Sequence, residues 1–258
     1  MNSQNMIKKL IKRNIQKIGY DIIQNKPCMT NFKKIKTNAE LNVLETLVHL
    51  ELCKNDNFNF VQVGANDGQK SDPLYEIINK YEISGILLEP VPETFERLRS
   101  NYANSSLVKK KKLILENIAL TPEGDSGDIS FYEFCDITPD DKDNLSGYST
   151  TDKNKLIGIR ESLGVDNQIR EIKVDYESVP FFLNKRGLNN ISLLVLDAEG
   201  MDIDILMSFL KCKNLPNIIY MEILDQHCDR IMEVVNELID NGYRIGGDQS
   251  DLIAYKES

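Results

Sequence analysis

FVQVGANDG, residues 60–68, is an apolar strand that runs straight into a turn holding Gly64, Asn66, Asp67 and Gly68. A chain that ends a buried strand in this way builds a corner where backbone approaches a ligand closely. The helix expected next, over 72–81, would present its unpaired N–H groups to that ligand. Twenty-one residues after Gly68, Glu89 closes a second apolar run, GILLE (85–89). In a doubly wound sheet an acid at that place accepts hydrogen bonds from ribose hydroxyls. Glycine turn and spaced carboxylate together predict a ligand that contains adenosine.

The dinucleotide fingerprint G-x-G-x-x-G requires glycine where this chain has Asn66 and Gln69, and no G-x-x-x-x-G-K-[ST] run is present. Those departures disfavour a dinucleotide-dependent oxidoreductase and a P-loop nucleotide site. An adenosine ligand without phosphates fits better. S-adenosylmethionine is such a ligand, and Asn66 and Asp67 offer groups for its amino-acid end. The plain alternative is a strand-turn-helix corner in which Asn, Asp and Gly are favoured for backbone reasons alone.

Downstream, apolar runs alternate with helical patterns. Strands are expected at 60–63, 85–89, 113–120, 190–197 and 217–223, and helices at 38–53, 72–81, 92–103, 178–187, 202–211 and 228–241. Segments 128–134 and 170–176 read as extended and bracket a polar loop, 135–165. The pattern predicts an α/β fold with a mostly parallel sheet covered on both faces. Two closing strands, 243–246 and 251–255, would form a hairpin that adds an antiparallel edge strand. Ligands in such sheets sit at the carboxyl ends of the strands where strand order reverses. That rule places Asp197, at the end of the fourth major strand, opposite the Gly64 turn.

The chain has 258 residues, 41% hydrophobic and 28% charged, with a net charge of −9. Residues 1–36 carry nine Lys or Arg against Asp21 alone, so the remainder is strongly acidic. An acidic body excludes generic nucleic-acid binding, which needs clustered cations. In the head, Ile7, Leu10, Ile11, Ile15, Ile18 and Ile22 recur at helical spacing opposite Lys8, Lys9, Lys12 and Arg13. This basic amphipathic segment, 1–37 with its linker, would suit either peripheral contact with an anionic membrane or packing on a domain surface. The remainder, 38–258, reads as one domain. Five scattered cysteines and only two histidines give neither a C-x-x-C pair nor a zinc-ligand spacing. With no run long enough to span a bilayer and no continuous signal-type apolar segment, the expected location is cytoplasmic.

VGANDG (63–68), Asp72-Pro73-Leu74, GILLEPVPETFERL (85–98), ENIAL (116–120) and LDAEGMDIDIL (196–206) follow one another in an order that resembles the FkbM-type methyltransferases. The resemblance spans about residues 58–255. It implies the Rossmann-like class I methyltransferase fold, with a seven-stranded sheet and S-adenosyl-L-methionine as cofactor. It also implies O-methylation of a hydroxyl, on a sugar, a glycan precursor or another small molecule. Carried over, Gly64, Asn66, Asp67 and Gly68 hold the cofactor's methionine end, Glu89 its ribose, and Asn117 to Ala119 part of the adenine wall. The loop 135–165, with Tyr148, resembles the family's substrate-side insertion. Gln62 stands where many members carry an acid.

Methyl transfer to oxygen needs alignment and removal of a proton. Asp197 is the first candidate base, followed by Glu199 and His227; the competing role for Asp197 is to orient loop N–H groups or cap a helix. Asp197, Glu222 and Asp225 could also supply hard oxygen ligands to Mg²⁺, but carboxylates at strand ends serve equally as caps, and no metal is assigned. A non-catalytic binding module on the same fold is the remaining alternative.

Overall fold

In the computed structural model, which describes residues 42–135, 148–198, 200–223, 230–247 and 251–256, apolar strand runs and helical stripes alternate as the sequence predicts. The elements in chain order are α1 (Val43–Leu52), β1 (Asn59–Val63), α2 (Tyr75–Tyr81), β2 (Ser84–Leu88), α3 (Pro92–Tyr102), α4 (Ser106–Lys109) and β3 (Leu113–Glu116). There follow β4 (Ala119–Thr121), β5 (Ser126–Phe134), β6 (Ser149–Thr150), α5 (Lys153–Leu163), β7 (Ile169–Ser178), α6 (Val179–Arg186) and β8 (Leu193–Leu196). Last come α7 (Asp202–Lys211), β9 (Ile218–Glu222), α8 (Ile231–Asp240), β10 (Arg244–Gly247) and β11 (Asp251–Tyr255).

Seven strands form one sheet in the order β10-β11-β9-β8-β1-β2-β3. β9, β8, β1, β2 and β3 are mutually parallel, and β1 lies between β2 and β8, so strand order reverses there. β11 is antiparallel to both β9 and β10. The antiparallel strand is therefore internal, and the edge belongs to β10. The expected closing hairpin does form, but its second strand slots beside β9 and leaves the first outermost.

Successive residues of a strand face opposite sides, so a sheet covered on both sides needs apolar side chains at every position. Phe60, Leu87, Leu193, Val195 and Ile218 pack toward Leu44, Val48, Ile77, Ile78 and Leu98 of α1, α2 and α3. Val61, Val63, Leu88, Leu194, Leu196 and Met221 pack toward Phe182, Leu206, Phe209, Val234 and Leu238 of α6, α7 and α8. Burial of each large side chain contributes about 1.5–3 kcal/mol. Phe209 is fully buried in the second layer, and its truncation to Ala would cost about 3–5 kcal/mol.

A second sheet, β4-β7-β5-β6, departs from the sequence reading in two respects. The expected strand 113–120 is two strands: β3 joins the large sheet and β4 the small one. Asn117 makes the break, because its Nδ2 donates to the carbonyls of Glu89 and Pro90 at 2.7 and 2.9 Å. The expected polar loop contains helix α5, whose start is capped by the Asp152 side chain accepting the Asn154 N–H. Leu156 is the residue α5 buries, a stripe too narrow to register as a helical pattern. The segment 1–37 lies outside the described residues. No described helix is long and apolar enough to cross a membrane.

Candidate functional site

Val63 pairs with Leu196, so the turns that follow β1 and β8 leave the sheet side by side. The Asp197 N–H donates to Val63 O at 3.0 Å, and on the other side the N–H groups of Gly64 and Ala65 both reach Leu88 O, at 3.0 and 2.8 Å. Gly64 is wedged between these neighbours at φ 78°. A β-carbon there would fall 1.9 Å from Asp197 O, which excludes any side chain. The expected meeting of the two turns at the reversal point is thus a direct backbone packing.

The rest of the glycine turn divides its work. Asn66 donates its N–H to Glu89 Oε2 at 2.9 Å. Asp67 Oδ1 instead accepts the N–H groups of Gln69 and Lys70, at 2.9 and 2.8 Å, and so shapes the turn itself. Gly68, at φ 67°, packs against Leu98 and Tyr102 of α3, and a β-carbon there would fall 2.3 Å from Leu98 Cδ1, so that side chain would have to shift. Gly64, Asn66, Glu89 and Ala119 line the hollows described next; Asp67, Gly68 and Asn117 line neither.

Glu89 is 5% exposed, and its Oε1 also accepts the Val91 N–H at 2.9 Å. Burial pushes its carboxyl up to about 7, against the pull of the Val91 and Asn66 N–H groups. Asp197 is solvent-exposed, and its turn is held by a residue that sequence reasoning missed. Asp202, 1% exposed in the first turn of α7, accepts the Ala198 N–H at 2.5 Å and the Gly200 N–H at 3.1 Å. Its spacing from Asp197 was the available signal, since a carboxylate in the first turn of a helix faces unpaired N–H groups.

Two hollows meet at this point and share Gly64, Asn66 and Asp197. The smaller, about 50 Å³, has Glu89 at one side and Pro90, Ile118, Ala119 and Phe131 as apolar walls, with Ser149 of the small sheet at its rim. Phe131 is held there by packing with Val91, Ala119 and Val174. Arg170 of β7 further ties the small sheet to α3 through Glu133 and Glu93. The larger hollow, about 190 Å³, is polar, with Gln62, Lys70, Ser71, Asp72, Tyr220, Glu222 and Asp251 in its lining. Asp72 starts α2 by accepting the Leu74 and Tyr75 N–H groups, and its Oδ2 accepts Gln62 Nε2 at 2.8 Å. Gln62 Oε1 is buried without a partner.

S-adenosylmethionine fits this pair of hollows in kind. A flat base suits the apolar walls, ribose hydroxyls suit Glu89, and a zwitterionic amino-acid end suits a hollow with both charges. Glu199, His227 and Asp225 lie outside the described residues, as does 136–147 of the insertion. Tyr148, 37% exposed, lines neither hollow. Among the described residues no group of three His, Cys, Asp or Glu side chains could hold a metal ion.

The sequence model of the methyltransferase FkbM domain matches residues 62–245. No curated protein matches the chain. Among solved structures, the chain is similar to a methyltransferase FkbM from Methylobacillus flagellatus KT, at 11% identity and a TM-score of 0.47. That likeness covers 78% of this chain and 44% of the other, so the chain spans less than half of that protein's length. It is also similar to a precorrin-6y C5,15-methyltransferase from Geobacter metallireducens GS-15, at 12% identity and a TM-score of 0.39, covering 86% and 92% of the two chains. A ribosomal protein L11 methylase from Lactobacillus delbrueckii subsp. bulgaricus gives 12% identity, a TM-score of 0.34 and coverage of 84% and 81%.

Proposed function

Since the chain belongs to the FkbM methyltransferase family and takes S-adenosylmethionine as its methyl donor, we propose that it methylates a hydroxyl of a sugar or glycan precursor, with Asp197 as the base. Bound S-adenosylmethionine supplies a methyl group on a positively charged sulfur, which an oxygen displaces in line. The observation that carries the role of Asp197 is its place in both hollows. Sulfur joins the adenosyl and amino-acid parts of the donor, so residues common to the two hollows flank the reacting centre.

Glu89 would accept the ribose hydroxyls, while Ala119 and Pro90 wall the base. The polar hollow would hold the amino-acid end. Asp197, exposed at the junction, is then within the region where an acceptor hydroxyl must release its proton, and Asp202 keeps its turn in place. Ser149 would offer a hydroxyl to a polyhydroxy acceptor entering beside the small sheet.

Incubation of the protein with radiolabelled donor and a panel of nucleotide sugars and glycan fragments should give base-stable methyl ethers. Asp197→Asn should lower turnover by roughly 10²–10⁴ while S-adenosylhomocysteine affinity stays within a few-fold, the range for loss of a positioned general base. Transfer to nitrogen or carbon acceptors alone would sink the O-methylation reading. Unchanged turnover in Asp197→Asn would remove it as the base.

A further inference from the structure

Strands β5 and β6 lend Phe131 and Ser149 to the small hollow, and strand register shows what stands between them. Glu133 of β5 is opposite Ser149 on one side and opposite Arg170 of β7 on the other. Directly opposed residues project to the same face of a sheet, as do residues two apart along a strand. Phe131, Glu133, Ser149 and Arg170 therefore share one face, and Glu133 adjoins both residues that the hollow touches. Glu89, whose carboxyl is raised chiefly by burial, also feels the Glu133 charge, as it would from that face. The Glu133 side chain is 13% exposed, and only half of it is used. Arg170 brings Nε and Nη2 to Oε1, each at 2.7 Å, and Nη2 also reaches Glu93 of α3 at 2.8 Å. Oε2 has no partner among the described residues, yet it is not sealed from water. Arginine commonly meets a carboxylate with two parallel hydrogen bonds, one to each oxygen. Here it aims the carboxylate and leaves one oxygen spare.

We infer that Glu133 Oε2 and the Ser149 hydroxyl beside it bind a second hydroxyl of the methyl acceptor, with Arg170 positioning the carboxylate. This rests on the proposed O-methylation of a polyol and adds which polyol the site selects. The acceptor carries at least two hydroxyls, one placed at Asp197 for methylation and another held at the small sheet. A carboxylate oxygen only accepts, whereas a serine hydroxyl also donates, so the pair matches a group that can do both, as a sugar hydroxyl does. A phosphate or carboxylate at that place on the acceptor would meet the Glu133 charge and be turned away.

Initial rates of the full chain test this, with radiolabelled donor and the sugar of the panel that is methylated fastest. Glu133→Gln keeps the shape of the side chain and a contact for Arg170. It should raise the KM of that sugar at least about tenfold, the loss expected for a hydrogen bond to a charged group, with a smaller fall in kcat. S-adenosylhomocysteine affinity should stay within about twofold, the span expected where no interaction is lost. One monodeoxy analogue of the sugar should show the same rise in KM with the wild type, and on that analogue Glu133→Gln should add no more than about twofold. Ser149→Ala, at a partly exposed position, should raise KM by a few-fold, which keeps the test decisive if the Gln variant does not fold. The inference is overturned if either variant leaves KM unchanged, if S-adenosylhomocysteine affinity falls along with it, or if Glu133→Gln raises KM equally for every monodeoxy analogue. In each of those cases the O-methylation reading stands. A panel in which no hydroxyl is methylated overturns both.

Discussion

The Asn66 N–H donates to the Glu89 carboxylate across 2.9 Å, so the glycine turn and the acid that follows β2 are one hydrogen-bonded unit. Two consequences follow for pH. Burial raises the Glu89 carboxyl from 4.5 to about 7, so the folded protein holds a proton that the unfolded chain releases. Stability should therefore fall as pH rises from about 4.5 to 7, by roughly 3 kcal/mol from this group alone. Ribose hydroxyls prefer the ionised form, so S-adenosylhomocysteine should bind more weakly below pH 7 and release a proton on binding near neutrality. Calorimetry in buffers of different ionisation enthalpy reads that proton, and Glu89→Gln should abolish it. Equal binding enthalpies in all buffers for the wild type would show that Glu89 is not the group that senses the ligand.

Gly64→Ala forces a β-carbon against the Asp197 carbonyl and a left-handed backbone at once. It should lose about 3 kcal/mol or more in urea unfolding and all measurable S-adenosylhomocysteine binding. Gly187→Ala is the control, with similar backbone at φ 63° but nothing within 4 Å of the new carbon. It should cost only about 1–2 kcal/mol and leave binding intact. Similar losses in the two variants would mean that packing of the two turns contributes nothing.

Arg186 lies over the Phe182 ring, 4.2 Å from its centroid, and pairs with both Glu116 and Glu177. Burial pushes the Glu177 carboxyl up, but Arg186 and Lys185 more than reverse this and hold it below its usual range. The stability it contributes is present above the unfolded carboxylate's range and is lost as pH falls through the depressed folded value. Arg186→Ala should destabilise the protein by about 3 kcal/mol, because a mostly buried carboxylate loses its main partner. Lys185→Met, at a more exposed partner, should cost less than about 1 kcal/mol. Glu116 immediately precedes Asn117, so Arg186→Ala should also weaken S-adenosylhomocysteine binding. Chemical denaturation and calorimetry check the two effects separately.

The large sheet was legible because buried parallel strands need apolar residues on both faces, and each such run announced itself. The opposition of Gly64 and Asp197 followed from strand order alone. What escaped the sequence depends on distant partners. The break at Asn117 is made by carbonyls almost thirty residues earlier, and no local pattern encodes it. Helix α5 buries Leu156 and little else, so its stripe fades among Lys, Asn and Arg. The same holds in the site. Gly64, Asn66 and Glu89 were visible as residue types at known spacings. The roles of Asp202 and of the Gln62–Asp72 pair became visible only with their hydrogen bonds.

The place of β11 between β9 and β10 has a consequence for assembly in time. β11 comes later in the chain than every other strand of its sheet, yet it fills an inner slot. As the chain emerges during synthesis, β9 must keep an open edge, and β10 must wait without its neighbour, until the final strand is released. The sheet closes in one late step, so the seven-stranded layer gains its full cooperativity only when synthesis of this domain is complete.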